Sequence, residues 1–332
     1  MPAEDNQPLV AVDNLYKRFP LKQGIVDIVM RKPLQYIRAV DGVSLTISRG
    51  ETLGLVGESG CGKTTLAKTI LRLEEPDEGL ILFDGKDVTK MNGDELRGQR
   101  RDMQIVFQDP YSSLNPRLSV RDMLGEVMMV HHVCPKREVE QRVAELLHMV
   151  GMSIDDADRF PGEFSGGQRQ RLGIARALAV KPLFIVADEP VASLDVSIQA
   201  QIINLLQDLQ EALKLTVFFV SHDLRVVKHI THRTAVMYLG KIVEQAPTSA
   251  LFDSPYHPYT QVLAAAAPVI DPRVRTKEYA IEGEPPSPID MPSGCRFHPR
   301  CPKAQGICGE VEPEFKEVEP GRGVACHLWS EA

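Results

Sequence analysis

The distribution of apolar residues along the chain predicts an α/β protein. Strands are predicted at 9–12, at 43–47, where apolar and polar residues alternate, and at the apolar runs 53–56, 105–107, 183–187 and 215–220. Hairpins are indicated at 79–85 and 234–244, where a glycine marks each turn. An amphipathic helix is predicted before the last of these strands, because Ile198, Ile202, Leu205, Leu209 and Leu213 recur on one face.

A long helical stretch interrupts this alternation. Between residues 119 and 180 the apolar positions recur at helical spacing, for example at Val139, Val143 and Leu147, and Gly151 is a stop signal. Because strands are predicted on both sides, we expect a helical subdomain, at about 110–180, inserted into an α/β core. Residues 20–38 are mixed basic and apolar and fit neither pattern.

A glycine-rich turn joins the strand at 53–56 to a following helix. Its sequence is Gly57-Glu58-Ser59-Gly60-Cys61-Gly62-Lys63-Thr64-Thr65. Glycines allow successive backbone N–H groups to converge on a polyphosphate, and the helix N-terminus adds partial positive charge. Lys63 can then reach the β- and γ-phosphates while the Thr64 hydroxyl ligates Mg²⁺. The strand–turn–helix context favours this site over a purely structural turn.

Two further stretches have residue types suited to phosphate chemistry. Asp188 and Glu189 end the strand at 183–187, where one carboxylate can hold Mg²⁺ through water and the other can polarise an attacking water. Acidic pairs are also common as solvated strand ends. Phe164-Ser165-Gly166-Gly167-Gln168 precedes a strong helix and offers a second set of exposed N–H groups, although alone it is more typical of a capped helix.

Taken in order, these stretches resemble the nucleotide-binding subunit of an ATP-binding-cassette (ABC) transporter over residues 9–265. The resemblance rests on 57–64, Gln108, 164–168, 183–189, Ser193-Leu194-Asp195 and His222. It implies a P-loop NTPase (RecA-like) core with an N-terminal antiparallel β-subdomain and an inserted helical subdomain. It also implies that two cassettes pair head to tail, so that the signature motif serves the partner's nucleotide. The signature motif consists of Ser165, Gly166, Gly167 and Gln168, and Asp195 is the D-loop residue.

The same resemblance implies a role for each remaining residue. Phe19 stacks on adenine, with Tyr16 as the second candidate. Residues 57–65 bind the phosphates. Thr64, Gln108 and Asp188 serve Mg²⁺, Glu189 is the catalytic base and His222 senses the γ-phosphate.

Finer likeness indicates the oligopeptide and dipeptide importers. The stretches that carry it are 107–116, 162–171, 255–260, 294–302 and 324–327. They are most similar to the second ATPase of such systems, which implies a related but different partner ATPase. We therefore expect a cassette over 1–265 and a Pro/Cys-rich C-terminal extension over 266–332.

Composition narrows the function classes. The chain has 332 residues, is 43% hydrophobic and 25% charged, and has a formal net charge of −7, which disfavours a broad nucleic-acid-binding surface. Its N-terminus lacks the basic and apolar regions of a signal peptide, and no apolar run is long enough to span a bilayer. These features predict a cytoplasmic protein that reaches the membrane by docking.

Four of the six cysteines crowd into the C-terminal extension, at Cys295, Cys301, Cys308 and Cys326. In a reducing compartment such clustering favours a metal site over disulfides. Four thiolates suit either a [4Fe–4S] cluster or tetrahedral Zn²⁺. The resemblance favours the cluster, since similar tails carry one. Zinc and free thiols are the alternatives.

The sequence thus predicts an ATP-hydrolysing subunit that powers import of di- or oligopeptides. Its expected partners are a homologous ATPase, two membrane-spanning permeases and, indirectly, an extracytoplasmic solute-binding protein. The same machinery could serve a nickel chelate or an oligosaccharide. A soluble ABC ATPase acting on nucleic acid or ribosomes is the rival class, and it is disfavoured by the single cassette and the acidic balance.

Overall fold

The structure is a computed structural model that describes residues 7–21, 23, 30, 33–266, 283–284 and 286–329. The chain divides into two compact units. The first contains Ile47–Thr52 and Lys90–Ser221, and the second contains Gln7–Thr46, Leu53–Thr89 and His222–Ala332. Part of the 20–38 stretch lies outside the described residues.

The strands are β1 (Val10–Pro20), β2 (Tyr36–Ile47), β3 (Thr52–Val56), β4 (Glu78–Phe83), β5 (Lys86–Asp87), β6 (Met103–Val106), β7 (Phe184–Asp188), β8 (Thr216–Val220), β9 (Arg233–Tyr238), β10 (Lys241–Pro247), β11 (Lys316–Glu319) and β12 (Arg322–Val324). The α-helices are α1 (Lys63–Ile70), α2 (Gly93–Gln99), α3 (Pro110–Ser113), α4 (Val120–Val130), α5 (Val139–Met149), α6 (Gly166–Leu178), α7 (Val196–Leu213), α8 (Leu224–Ile230), α9 (Thr248–Asp253), α10 (Pro258–Ala266) and α11 (Gly306–Glu310).

In the first unit, parallel strands carry the acidic residues. β7 pairs in parallel with β6 on one side and with β8 on the other. Every residue of β7 and β8 is buried, which agrees with their continuous apolar sequence. β7 ends on Asp188, so this carboxylate lies at the carboxyl edge of the strands. The helices α4 to α6 fall within the stretch 119–180 that was predicted to be helical, and α3 lies within the wider subdomain expected at about 110–180.

In the second unit, an antiparallel sheet has the order β2-β1-β4-β5, with β4 antiparallel to both β1 and β5. The predicted antiparallel β-subdomain is therefore confirmed. β2 is longer than the predicted strand at 43–47, because it begins at Tyr36, inside the stretch that fitted neither pattern. Asp41 and Gly42 interrupt the alternation there, so only the last part of the strand was visible in the sequence.

A second sheet in this unit has the order β11-β12-β10-β9-β3. β3 runs parallel to β9, with Val56 opposite Val236, and the glycine-rich turn begins directly after Val56. β12 pairs antiparallel with β10, so the C-terminal extension adds strands to this sheet. Composition alone did not predict these strands, because β11 is the polar and largely exposed sequence Lys-Glu-Val-Glu.

A buried polar arrangement anchors the start of α10. The Glu244 carboxylate, on β10, accepts hydrogen bonds from the backbone N–H groups of Tyr256 and His257, each at 2.8 Å. His257 is 1% exposed, and its Nδ1 lies 3.0 Å from the backbone N–H of Tyr259. Burial lowers the pKa of His257 to about 3, because the charged imidazole would lose its hydration.

This buried imidazole predicts a loss of stability in acid. The pKa of His257 lies below its unfolded value, so its contribution is complete above about pH 6.5 and falls as pH drops toward 3. His257→Asn removes the titration and keeps a hydrogen-bond acceptor near Tyr259. Between pH 7 and pH 5 the wild type should lose about 2 kcal/mol more unfolding free energy than the variant.

Urea unfolding at both pH values measures this difference. The nearby Glu244 is present in both proteins, so its own titration largely cancels in the comparison. Parallel pH dependences for the two proteins would contradict the assignment.

Candidate functional site

The glycine-rich turn folds around a buried ammonium group. The Lys63 side chain donates to the carbonyl of Gly57 at 2.8 Å and to that of Glu58 at 2.9 Å, and Lys63 is 4% exposed. Ser59 and Gly60 lie exposed at the tip of the turn. Thr64 and Thr65 lie in the first turn of α1, whose N-terminus has no side-chain cap and no acidic residue. The end of this helix is therefore suited to an anion.

The surroundings of Gly62 require a glycine at this position of the turn. Gly62 has a φ of +110°, and a Cβ atom there would lie 2.0 Å from the backbone oxygen of Ala39. Gly60 also has a positive φ, +79°, but a Cβ atom there would meet nothing within 4 Å. The turn thus demands glycine at 62 by contact as well as by backbone conformation.

Cys61, in the same turn, is a packed residue. It is 4% exposed, and its Sγ lies 3.9 Å from Lys63 Nζ. Burial raises the pKa of its thiol, so it is held as a neutral group at ordinary pH. This environment agrees with a small residue that has no chemical role.

In the first unit, the structure brings together Gln108 and Glu189. Gln108 Nε2 donates to Glu189 Oε2 at 3.0 Å, although 81 residues separate them. Glu189 has a φ of +46°, an unusual conformation for a residue with a side chain, and its N–H donates to Val220 at 2.9 Å. Strained backbone of this kind clusters at functional sites. Asp188, immediately before it, is 3% exposed.

The predicted signature motif forms a reciprocal cap on α6. Ser165 Oγ accepts the N–H of Gln168 at 3.4 Å, and Gln168 Oε1 accepts the N–H of Ser165 at 3.0 Å. A Cβ atom at Gly167 would lie 2.5 Å from Ile198 Cγ2, so glycine allows α7 to approach closely. Ser165 and Gly166 are exposed, as is Asp195 at the start of α7.

Phe19 and His222 belong to the second unit. Phe19 is half-buried on β1, with Lys17 Nζ 5.0 Å from the centroid of its ring. Tyr16 packs against Gly42, where a Cβ atom would lie 3.0 Å from its hydroxyl oxygen. His222 is exposed in the short connection between β8 and α8. The roles of all these residues stay predictions.

The four cysteines of the C-terminal extension line one small cavity of about 10 Å³ in the second unit, with His257, Phe297, His298 and His327 among its other walls. All are free thiols. Burial raises the pKa of Cys326 to about 11, and burial also raises the pKa values of Cys295 and Cys301. Among the described residues, however, no group of three or more His, Cys, Asp or Glu side chains is arranged to hold a metal ion. The predicted [4Fe–4S] or zinc centre is thus unsupported by preformed ligand geometry.

Sequence reasoning missed two residues that contact the glycine-rich turn. The Tyr259 hydroxyl accepts the N–H of Glu58 at 2.8 Å, and Arg300 forms a bidentate ion pair with the Glu58 carboxylate at 2.9 and 3.1 Å. These partners lie 201 and 242 residues away along the chain. Both stretches were noted for their family likeness, but no spacing or periodicity in the sequence connects them to the turn.

Within the described residues, no helix has the length and apolarity needed to cross a bilayer.

Residues 40–192 match the family model described as ABC transporter. Residues 243–308 match the model described as oligopeptide/dipeptide transporter, C-terminal region.

Several known proteins are similar along most of their length. The oligopeptide transport ATP-binding protein AppF of Bacillus subtilis is 49% identical over 99% of this chain and 100% of the relative. The probable peptide ABC transporter ATP-binding protein y4tS of Sinorhizobium fredii is 52% identical over 96% of this chain and 90% of the relative.

Among solved structures, the ATP-binding cassette MJ0796, a dimer in a post-hydrolysis state bound to ADP and Pi, is 31% identical. The match has a TM-score of 0.63 and covers 72% of this chain and 98% of that one. The chain therefore belongs to the ABC transporter ATPases that carry the oligopeptide/dipeptide transporter C-terminal region.

Proposed function

We propose that this chain is the ATP-hydrolysing subunit of an ABC transporter that imports di- or oligopeptides. The observation that carries the hydrolytic part is the Gln108–Glu189 hydrogen bond at the end of β7, which orients a carboxylate beside an amide suited to holding water. The peptide cargo is supported by the relatives, which are named as oligopeptide and peptide transport proteins.

In this proposal each residue acts through the chemistry of its side chain. Phe19 stacks on adenine, and residues 57–65 surround the phosphates. Lys63 exchanges the carbonyls of Gly57 and Glu58 for phosphate oxygens, and Glu189 takes a proton from the attacking water. His222, an exposed donor after β8, senses the γ-phosphate.

Thr64, Gln108 and Asp188 are the proposed Mg²⁺ ligands, direct or through water. Their hydroxyl, amide and carboxylate oxygens are the hard donors that this ion prefers. Bound Mg²⁺ neutralises charge that develops on the transferred phosphate.

The exposed residues in and near the signature motif support the pairing of two cassettes. Ser165 and Gly166 are exposed, and Val196, beside Asp195, is 81% exposed. The similar cassette MJ0796 was solved as a dimer with ADP and Pi. We infer a head-to-tail partner, a related ATPase, on the cytoplasmic face of the membrane. Two permease subunits and an extracytoplasmic solute-binding protein complete the proposed transporter.

Glu189→Gln tests the assignment of the base. Turnover of ATP by the assembled transporter should fall by about two to three orders of magnitude, because the amide cannot accept the proton. Affinity for ATP should change little, since the variant keeps the shape and a hydrogen bond to Gln108. Glu211→Gln, the same change at an exposed position of α7, is the matched control and should hydrolyse normally. Hydrolysis by Glu189→Gln at the control rate would refute the assignment.

Two alanine substitutions test the shape of the glycine-rich turn at 57–65, which we call the phosphate loop from here on. Gly62→Ala should abolish measurable ATP binding, because the new methyl group would lie within 2.0 Å of the Ala39 oxygen and must displace the loop. Gly60→Ala carries only the cost of a positive φ, about 1–2 kcal/mol, and should retain binding. Titration of each purified variant with Mg·ATP measures the difference. Equal affinities would show that the loop is not held as described.

We propose in addition that the four C-terminal cysteines hold a metal centre, with a [4Fe–4S] cluster as first candidate and Zn²⁺ as second. Support comes from the shared cavity and from the free state of the thiols. The donor set suits either centre. The cavity has a volume of about 10 Å³, and its side chains are not arranged to hold an ion as they stand, so either centre requires the thiols to move.

Anaerobic reconstitution with iron and sulfide distinguishes these centres. A cluster requires about four iron and four sulfide per chain and broad visible absorption. Loading should improve as pH rises, because burial keeps the thiols protonated and the metal must displace those protons. Cys308→Ser should load less. Stoichiometric zinc in the protein as purified, with no uptake of iron, would favour the second candidate, and no metal above that of the serine variant would refute both.

A further inference from the structure

Glu58 is held at three points within the phosphate loop. Its N–H donates to the Tyr259 hydroxyl at 2.8 Å, and its carbonyl accepts from Lys63 Nζ at 2.9 Å. Its carboxylate meets both terminal nitrogens of the Arg300 guanidinium at 2.9 and 3.1 Å. Backbone and side chain of one loop residue are therefore both fixed, and two of the three contacts come from residues beyond 250.

The segment that presents Arg300 is itself firmly placed. A 3₁₀ turn, His298–Arg300, follows Phe297, which is 1% exposed. The Phe297 ring packs against Tyr238 and Tyr259 with centroids 5.3 Å apart in both cases. One residue earlier, the buried Arg296 bonds to Asp41 and to the carbonyl of Leu239. The turn that carries Arg300 is thus held by packed neighbours, and its guanidinium is not a mobile surface group.

The negative charge of Glu58 suggests what the ion pair with Arg300 does. Glu58 is the only acidic residue in 57–65, a loop that must receive a highly negative polyphosphate. Unpaired, its carboxylate would oppose the nucleotide. The side chains of Arg300 and Glu58 are only 7% and 23% exposed, so solvent screens their charges weakly. A bidentate guanidinium neutralises the carboxylate and also fixes its direction.

We propose that Arg300 is a positioning residue of the ATP site: it cancels the Glu58 charge and holds the phosphate loop open to a polyanion. The inference rests on the proposed binding of ATP at residues 57–65 and assigns a role in it to the C-terminal extension. Tyr259 acts with it by fixing the Glu58 backbone. The competing explanation is that Arg300 only braces the loop mechanically. The two explanations differ in one outcome, because the loss of a mechanical brace cannot be repaired by removing the Glu58 charge.

The test measures Kd for Mg·ATP on the full-length chain at low ionic strength. Arg300→Gln should bind about tenfold more weakly than the wild type, and Arg300→Lys, which keeps the charge but not the fork, should be intermediate. The double variant Glu58→Gln/Arg300→Gln lacks the carboxylate charge of Glu58. Its affinity for Mg·ATP should therefore return to within about threefold of the wild type.

Arg322→Gln is the matched control, an arginine of the same extension that pairs with Glu319 at 3.3 Å, and its Kd should equal that of the wild type. The inference is overturned if Arg300→Gln binds within twofold of the wild type, or if the double variant is no tighter than Arg300→Gln. Should Arg300→Gln not fold, Arg300→Lys and the double variant carry the same comparison. A wild-type chain that fails to bind Mg·ATP would instead overturn the proposed function.

Discussion

The shape of the phosphate loop depends on a buried ammonium group held by backbone oxygens. Lys63 contacts the carbonyls of Gly57 and Glu58, so the positive charge lies inside the loop that must admit phosphate. Buried charges need such partners, and in the proposed ATP complex phosphate oxygens would replace the carbonyls as partners of the ammonium. The parallel pairing of β3 with β9 and the Gly62 contact with Ala39 fix the backbone that supplies those oxygens.

The residues proposed to act in hydrolysis are held in place in a different way. Glu189 follows a fully buried strand and adopts a φ of +46° to direct its carboxylate at Gln108. A strained residue persists only where surrounding structure determines it, and here the flanking parallel strands and the hydrogen bond to Val220 do so. One unit thus carries an oriented carboxylate and the other carries a loop shaped for phosphate.

Features encoded locally were visible in the sequence, and features made by distant contacts were not. The buried strand that ends at Asp188 and the glycine-rich turn follow from apolar runs and from glycine spacing. The Gln108–Glu189 bond was not predicted as a contact, although Glu189 was picked out by its place at a strand end and Gln108 by resemblance. β11 and β12 were missed because sheet neighbours, not composition, make those polar residues extended. Arg300 was missed because its partner is remote along the chain.

The separation between Glu58 and Arg300 has a consequence for biosynthesis. A ribosome that has just made Glu58 must add 242 residues before Arg300 exists, which takes about 12–50 s at typical elongation rates of about 5–20 residues per second. During that interval the nascent loop carries an uncompensated carboxylate. On the proposed role of Arg300, the nascent cassette is poorly suited to capture nucleotide until the segment that carries Arg300 has been made and has packed.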